Sequence, residues 1–180
     1  REFDMSGYVF DRMTVTECKQ NWKTFIEIYL ELYHVIPFHP GLAGFIACDD
    51  LRWTVGEEYS VQVVGPNHHL ERPGTPVYRT WHEQVKRTMG DKDPEHGAIW
   101  QLYYPNVMLE WYPHTIVIST LIPVSPSRTV NVVEYYYTEE VALFEREYVE
   151  AQQAAYAETA WEDEIIGQRT DRGRRTLVND

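Results

Sequence analysis

The chain has 180 residues, of which 43% are hydrophobic and 24% charged, and its formal net charge is −12. That length suffices for one domain with a sizeable core, and the acidity argues against nucleic acid and anionic membrane surfaces as partners. No apolar run approaches the roughly 20 residues that a membrane-spanning helix requires. The opening Arg1-Glu-Phe-Asp4 has none of the marks of a signal peptide. It also lacks an initiator Met, which fits a fragment or a processed chain. Cys18 and Cys48 stand far apart and match no paired metal motif. They suit a reducing, cytoplasmic setting better than a disulfide framework.

Residues 1–20 are weakly patterned, with Val9-Phe10 and Met13-Thr-Val15 as the material for a short strand. Asn21 is a good helix N-cap. Phe25, Ile28, Tyr29 and Leu32 follow the helical period behind it, with Glu27, Glu31 and His34 on a neighbouring face. The pattern predicts a helix from Asn21 to about His34, stopped by Pro37 and Pro40, because proline lacks the N–H and pushes its predecessor toward extended geometry. His34 then sits in the last turn and His39 in the loop beyond. On one straight helix residues five apart would diverge, but a kink at the prolines can turn both imidazoles toward one point. Two imidazoles and one distant carboxylate make the facial triad that holds non-haem Fe(II). Histidines near a helix end also serve as plain surface or core polar groups, so the spacing leaves both readings open.

Leu42 to Glu58 reads as loop, with a short helical turn near Leu42–Phe45. Tyr59–Val64 reads as a strand ending at Gly65-Pro66. Adjacent His68 and His69 are expected at the surface or in a substrate loop. Residues 70–97, with Pro73-Gly74, Pro76, Gly90 and Asp93-Pro94, are expected to form a long loop with an extended piece at Val77–Trp81. His82 and His96 would lie on its rim. Four segments rich in β-branched and aromatic residues follow: Trp100–Tyr104, Val107–Tyr112, His114–Ile122 and Thr129–Tyr137. The turns between them are too short for parallel crossovers, so the sheet should be antiparallel. Tyr103, Met108, Trp111, Ile116, Ile118 and Leu121 are candidate pocket residues, and strand alternation allows about half of them to face a cavity. A long helix should run from Glu139 to about Arg169, burying Val141, Phe144, Tyr148, Ala151 and Ala155. Together these elements predict an α+β helix-grip fold of the START/SRPBCC-like kind, one domain over residues 1–180.

The ordered set Asn21-Trp22-Lys23, Glu27, Glu31-x-Tyr33-His34 and His39-Pro40 resembles the iron-binding helix of the catalytic domain of Rieske-type ring-hydroxylating oxygenases (alpha subunit). The stretch from Tyr103-Tyr-Pro105-Asn106 to Pro123 resembles the pocket-walling strands of the same family. Trp161-Glu162-Asp163-Glu164-Ile-Ile-Gly-Gln168 resembles its C-terminal ligand segment. The resemblance spans roughly Asn21 to Gly173. It implies that His34, His39 and Asp163 hold a mononuclear Fe(II), with Glu162 at the surface or behind the ligands. It implies that Glu31 links His34 to the electron donor. Ile28 departs from the pattern, since the family usually carries Asn there.

A Rieske [2Fe–2S] centre needs two Cys and two His ligands, and neither Cys18 nor Cys48 has a histidine at such spacing. The resemblance therefore implies that a [2Fe–2S] cluster is supplied from a partner domain or chain, a Rieske domain or a ferredoxin and reductase. The remaining implied partners are O2, a small aromatic or other organic substrate, and further copies in a homotrimer. Two rival readings remain: a metal-free module for small apolar ligands, and a truncated, catalytically idle piece.

Overall fold

The computed structural model describes residues 4–90 and 92–177. Its frame is a seven-stranded sheet in the order β1-β7-β6-β5-β4-β3-β2. The strands are β1 (Tyr8–Cys18), β2 (Arg52–Val55), β3 (Tyr59–Val64), β4 (Ala98–Tyr103), β5 (Val107–Tyr112), β6 (Thr115–Ser125) and β7 (Arg128–Thr138). Every ladder is antiparallel. The four strands expected between residues 98 and 138 are present, because each is a β-branched and aromatic run between tight turns. β1 is longer than expected, pairing with β7 from Tyr8↔Thr138 to Cys18↔Thr129. β2 lies in the stretch expected to be loop. All four of its residues are exposed, so it has no buried face to print a pattern in the sequence.

The helices are α1 (Trp22–Tyr29), α2 (Val35–Phe38), α3 (Pro40–Phe45), α4 (Pro76–Met89), α5 (Glu139–Phe144) and α6 (Arg146–Leu177). α6 lies against the sheet with Tyr148, Val149, Ala151 and Ala155 buried among Val133, Tyr135 and Tyr137 of β7 and Trp81 of α4. This is the helix-grip arrangement, and it corrects the expected helix in three details. The chain breaks at Glu145, Phe144 is exposed at 77%, and the helix continues through Gly173.

Residues 76–89 are a 14-residue helix, not a loop. Thr75 caps it by accepting from the Tyr78 N–H, Pro76 occupies the first turn, and Gly90 ends it in the left-handed conformation. The Pro and Gly that suggested a loop are thus start and stop signals. Tyr78, Trp81, His82 and Val85 form its buried stripe, and Phe45 stacks on Trp81 with ring centroids 4.0 Å apart. His82 is a core residue at 2% exposure, with Nδ1 3.1 Å from the Leu70 carbonyl, rather than a rim residue. His96 and His69 do keep solvent contact, at 33% and 77% side-chain exposure.

α1 also ends earlier than expected, at Tyr29. Asn21 caps its start as predicted, accepting from the Lys23 N–H at 2.9 Å. Past Leu30 the Glu31 carboxylate accepts from the backbone N–H groups of Tyr33 and His34. That capture opens a new turn, so His34 is the N-cap of α2 rather than the last turn of α1. Pro37 falls in the first turn of α2 and Pro40 at the start of α3, where the missing N–H has no intrahelical partner to lose. No helix among the described residues is long and apolar enough to cross a membrane.

Candidate metal centre and cavity

His34 and His39 flank the short α2, and Asp163 comes from the middle of α6. The two rings meet edge-on with centroids 5.0 Å apart. One oxygen of Asp163 lies 2.9 Å from His39 Nε2 and 3.4 Å from His34 Nε2. One ligand atom from each of the three residues lies within 4.8 Å of the others. The two segments of chain are held together beyond the cluster by Asp171 of α6, which accepts from the Asn21 N–H at 2.6 Å and from the Thr24 hydroxyl.

Each imidazole is oriented from behind. His39 Nδ1 is 2.8 Å from Glu162 Oε2, and His34 Nδ1 contacts Glu31 Oε1. With each Nδ1–H donating to its carboxylate, both Nε2 atoms face Asp163. That is the tautomer and the supporting shell that a metal-ligating histidine needs. The donor set of two imidazole nitrogens and a carboxylate suits a divalent iron with open coordination positions.

The electrostatics are those of a tight imidazole–carboxylate cluster. Burial pulls both histidines down, but the hydrogen bonds and charge of Asp163, with Glu31 beside His34 and Glu162 beside His39, outweigh it and raise both. Asp163 shows the mirror image: burial pushes it up, and its bonds to the two histidines bring it below its ordinary value. Glu162 is raised, chiefly by burial. His39 is fully enclosed, whereas Asp163 keeps 27% of its side-chain exposure. Glu158, one turn before Glu162 on this helix, accepts instead from the Thr75 hydroxyl at 2.7 Å.

A cavity of about 370 Å³ opens beside the cluster, between α6, α1 and the concave face of the sheet. That size is ordinary for a small-molecule site. His34, His39 and Asp163 line it, as does Ile28. None of the six pocket residues expected from the strands does. Met108 and Leu121 have the inward parity but pack with Ile26 and Leu102 beneath α1. Tyr103 is exposed, and Trp111, Ile116 and Ile118 alternate onto the opposite face of the sheet. The sheet residues that do line the cavity include Trp100, Glu110, Tyr112, Val133 and Tyr135.

Glu110 is the residue that reading the sequence missed. It is 7% exposed on the inward face of β5. Tyr112 donates to its Oε2 at 2.6 Å, Tyr156 approaches Oε1 at 3.4 Å, and Trp100 Nε1 donates to the Tyr112 hydroxyl at 3.0 Å. Burial is the main cause that lifts its carboxyl to about 7, with the nearby Asp163 adding to it and Tyr112, Tyr156 and Trp100 opposing. A lone acid inside Val107–Tyr112, otherwise an apolar strand apart from its tyrosine, was the one signal of it.

The fold and the three converging side chains define a class: a helix-grip domain with a two-histidine, one-carboxylate cluster lining a half-open cavity. The family model "Ring hydroxylating alpha subunit (catalytic domain)" matches residues 5–178, and the chain belongs to that family. It is 56% identical over 178 residues to putrescine 2-hydroxylase of Ralstonia nicotianae, an alignment that covers 99% of this chain and 49% of that protein. It is 53% identical over 177 residues to putrescine 2-hydroxylase of Bordetella bronchiseptica, covering 98% and 41%. The chain therefore spans about half the length of these relatives or less. A crystal structure of a quaternary ammonium Rieske monooxygenase shares the fold, with a TM-score of 0.70 at 21% identity, over 93% of this chain and 40% of that one.

Proposed function

We propose that residues 1–180 act as one catalytic domain of a Rieske-type oxygenase, in which His34, His39 and Asp163 hold a mononuclear iron(II). The observation that carries this reading is the convergence of those three side chains, each imidazole being backed by its own carboxylate. Iron(II) held there would supply dioxygen activation and insertion of one oxygen atom into a C–H bond. The overall balance takes R–H, O2, two electrons and two protons to R–OH and water.

The protein's own residues do the rest. Glu31 and Glu162 fix the imidazole orientations, and Asp163 neutralises part of the charge of the ion. The walls of α6, α1 and the sheet bound the space in which a substrate would lie beside the cluster. Glu31 is also the entry point for electron transfer: it touches His34 Nδ1 on one side while keeping 32% of its side chain exposed on the other. The electrons come from a [2Fe–2S] cluster outside this stretch, on a Rieske domain or a ferredoxin-type partner, in a trimeric assembly. Cys18 and Cys48 lie in separate places, one buried and one half-buried, and do not form such a site. The substrate class we propose is a small aliphatic amine, following the name of the relatives at 56% and 53% identity, rather than an aromatic ring.

The test is iron stoichiometry on anaerobically purified protein. About one iron per chain, lost in both His34→Ala and Asp163→Ala, supports the assignment. Iron that is absent from the unaltered protein, or unaffected by both substitutions, removes it.

A further inference from the structure

Glu110 has no role in holding the metal or in delivering electrons, yet it is the most buried acid in the cavity wall. A carboxylate buried without a cation is costly, and proteins that keep one give it a partner or a task. Among the described residues Glu110 forms no ion pair with a lysine, arginine or histidine. The one ammonium or guanidinium among the described residues that lines the cavity is Arg12, which is exposed on β1. Glu31, Asp163 and Glu164 line the same space, so the cavity field favours a cation.

The surroundings of Glu110 point the same way. Its Oε2 accepts the short bond from Tyr112, whereas Oε1 has the stretched 3.4 Å approach of Tyr156, and the Trp100 indole N–H interacts with the carboxylate more weakly. Acceptor capacity is left over on the side of the cavity. Around it stand Trp100, Tyr112, Tyr135 and Tyr156, with Tyr135 and Tyr156 edge-to-face at a centroid distance of 5.5 Å. Tyr112, Tyr156 and Trp100 meet Glu110 through their hydroxyl and N–H edges, and an alkylammonium group entering the same space is stabilised by the carboxylate and, where it passes over a ring, by the ring quadrupole.

We propose that Glu110, within its cage of Trp100, Tyr112, Tyr135 and Tyr156, binds a terminal ammonium of the substrate and so sets which carbon faces the metal centre. The inference rests on reading the cavity as the substrate site of the oxygenase proposed above. Glu110 is a binding and specificity residue. The bound ammonium is anchored to the sheet, while His34, His39 and Asp163 sit at the α2–α6 end of the same cavity. A primary ammonium with an alkyl chain fits this arrangement. A neutral chain of the same length leaves the carboxylate uncompensated.

Calorimetric titration of the purified chain, with and without iron(II), tests it. The probes are 1,4-diaminobutane and the nearly isosteric neutral 1,4-butanediol, against the unaltered protein and Glu110→Gln. The expected result is that the diamine binds the unaltered protein at least about 30-fold more tightly than the diol, and that Glu110→Gln removes most of that preference. The substitution should leave iron stoichiometry unchanged. Diamine affinity within about threefold in Glu110→Gln would overturn the proposal, as would an unaltered protein that prefers the diol. If Glu110→Gln does not fold, Tyr135→Leu takes its place, since it opens the cage and leaves every carboxylate of the cavity intact, and a diamine preference unchanged in that variant would overturn the proposal. Loss of the oxygenase reading would appear separately, as a chain that takes up no iron while its amine affinity is still measured in the iron-free titration.

Discussion

Glu110 makes a prediction about stability that needs no ligand. Its carboxyl is raised from an ordinary 4.5 to about 7, mainly by burial. In the unfolded chain it ionises near 4.5, so between pH 4.5 and 7 the folded protein holds the extra proton. Stability must therefore fall as pH rises through that window, the reverse of a salt-bridged acid. Each pH unit of displacement is worth about 1.4 kcal/mol, so the penalty above pH 7 is on the order of 3 kcal/mol. Glu110→Gln removes the charge and keeps an oxygen for the Tyr112 hydroxyl. Relative to the unaltered protein, the variant should gain about 3 kcal/mol between pH 4.5 and pH 8. For a chain of this size that is a relative rise of roughly 6–12 °C in Tm. Urea denaturation of both proteins across pH 4–8, read as the difference between them, measures it. A difference that stays flat with pH would mean that Glu110 is solvated in the fold, and would refute the reasoning.

Three further outcomes follow from the same contacts. His82 is buried and pulled down to about 4, so the fold should lose roughly 3 kcal/mol as pH falls from 6.5 to 4, and acid denaturation of His82→Asn should show much less of that loss. A Cβ at Gly74 would run into the backbone of Pro40 and Gly41, which cannot rotate away. Gly74→Ala should therefore cost about 3 kcal/mol in chemical denaturation, and because Pro40 adjoins His39 it should also weaken iron uptake. Glu31→Gln should leave iron stoichiometry near that of the unaltered protein, while substrate oxidation driven by an external iron–sulfur donor falls about 10–100-fold. Unchanged oxidation would remove Glu31 from the electron route.

The residues themselves explain which parts of this architecture could be read in advance. The strands from Ala98 to Thr138 were legible because their composition and tight turns leave one solution. His34, His39 and Asp163 were nameable through the resemblance, but the path between the histidines was not. Whether Glu31 would extend α1 or capture the next turn depends on where its carboxylate goes, and the sequence leaves that open. α4 was hidden by Pro73, Gly74 and Pro76, although Thr75-Pro76 opening a Tyr78, Trp81, Val85 stripe is a helix start. The pocket wall was misread for a deeper reason. Alternation divides a strand into two faces, but only the helices packed across it decide which face is covered by α1 and which looks into space. Met108 and Glu110 share a face and have different fates.

The sheet order places β1 beside β7, with Val9 paired to Tyr137. During synthesis β1 therefore emerges long before β7, its one neighbour among the described residues. At ribosomal rates of about 5–20 residues per second it waits on the order of ten seconds, while β3 to β7 zip up locally behind it. Over that interval its edge is unpaired, and Phe10, Met13 and Val15 remain solvent-exposed even in the finished fold. β1 is thus the segment through which a nascent chain is most open to pairing with a stranger. Its docking on β7 is the late step that closes the wall of the cavity.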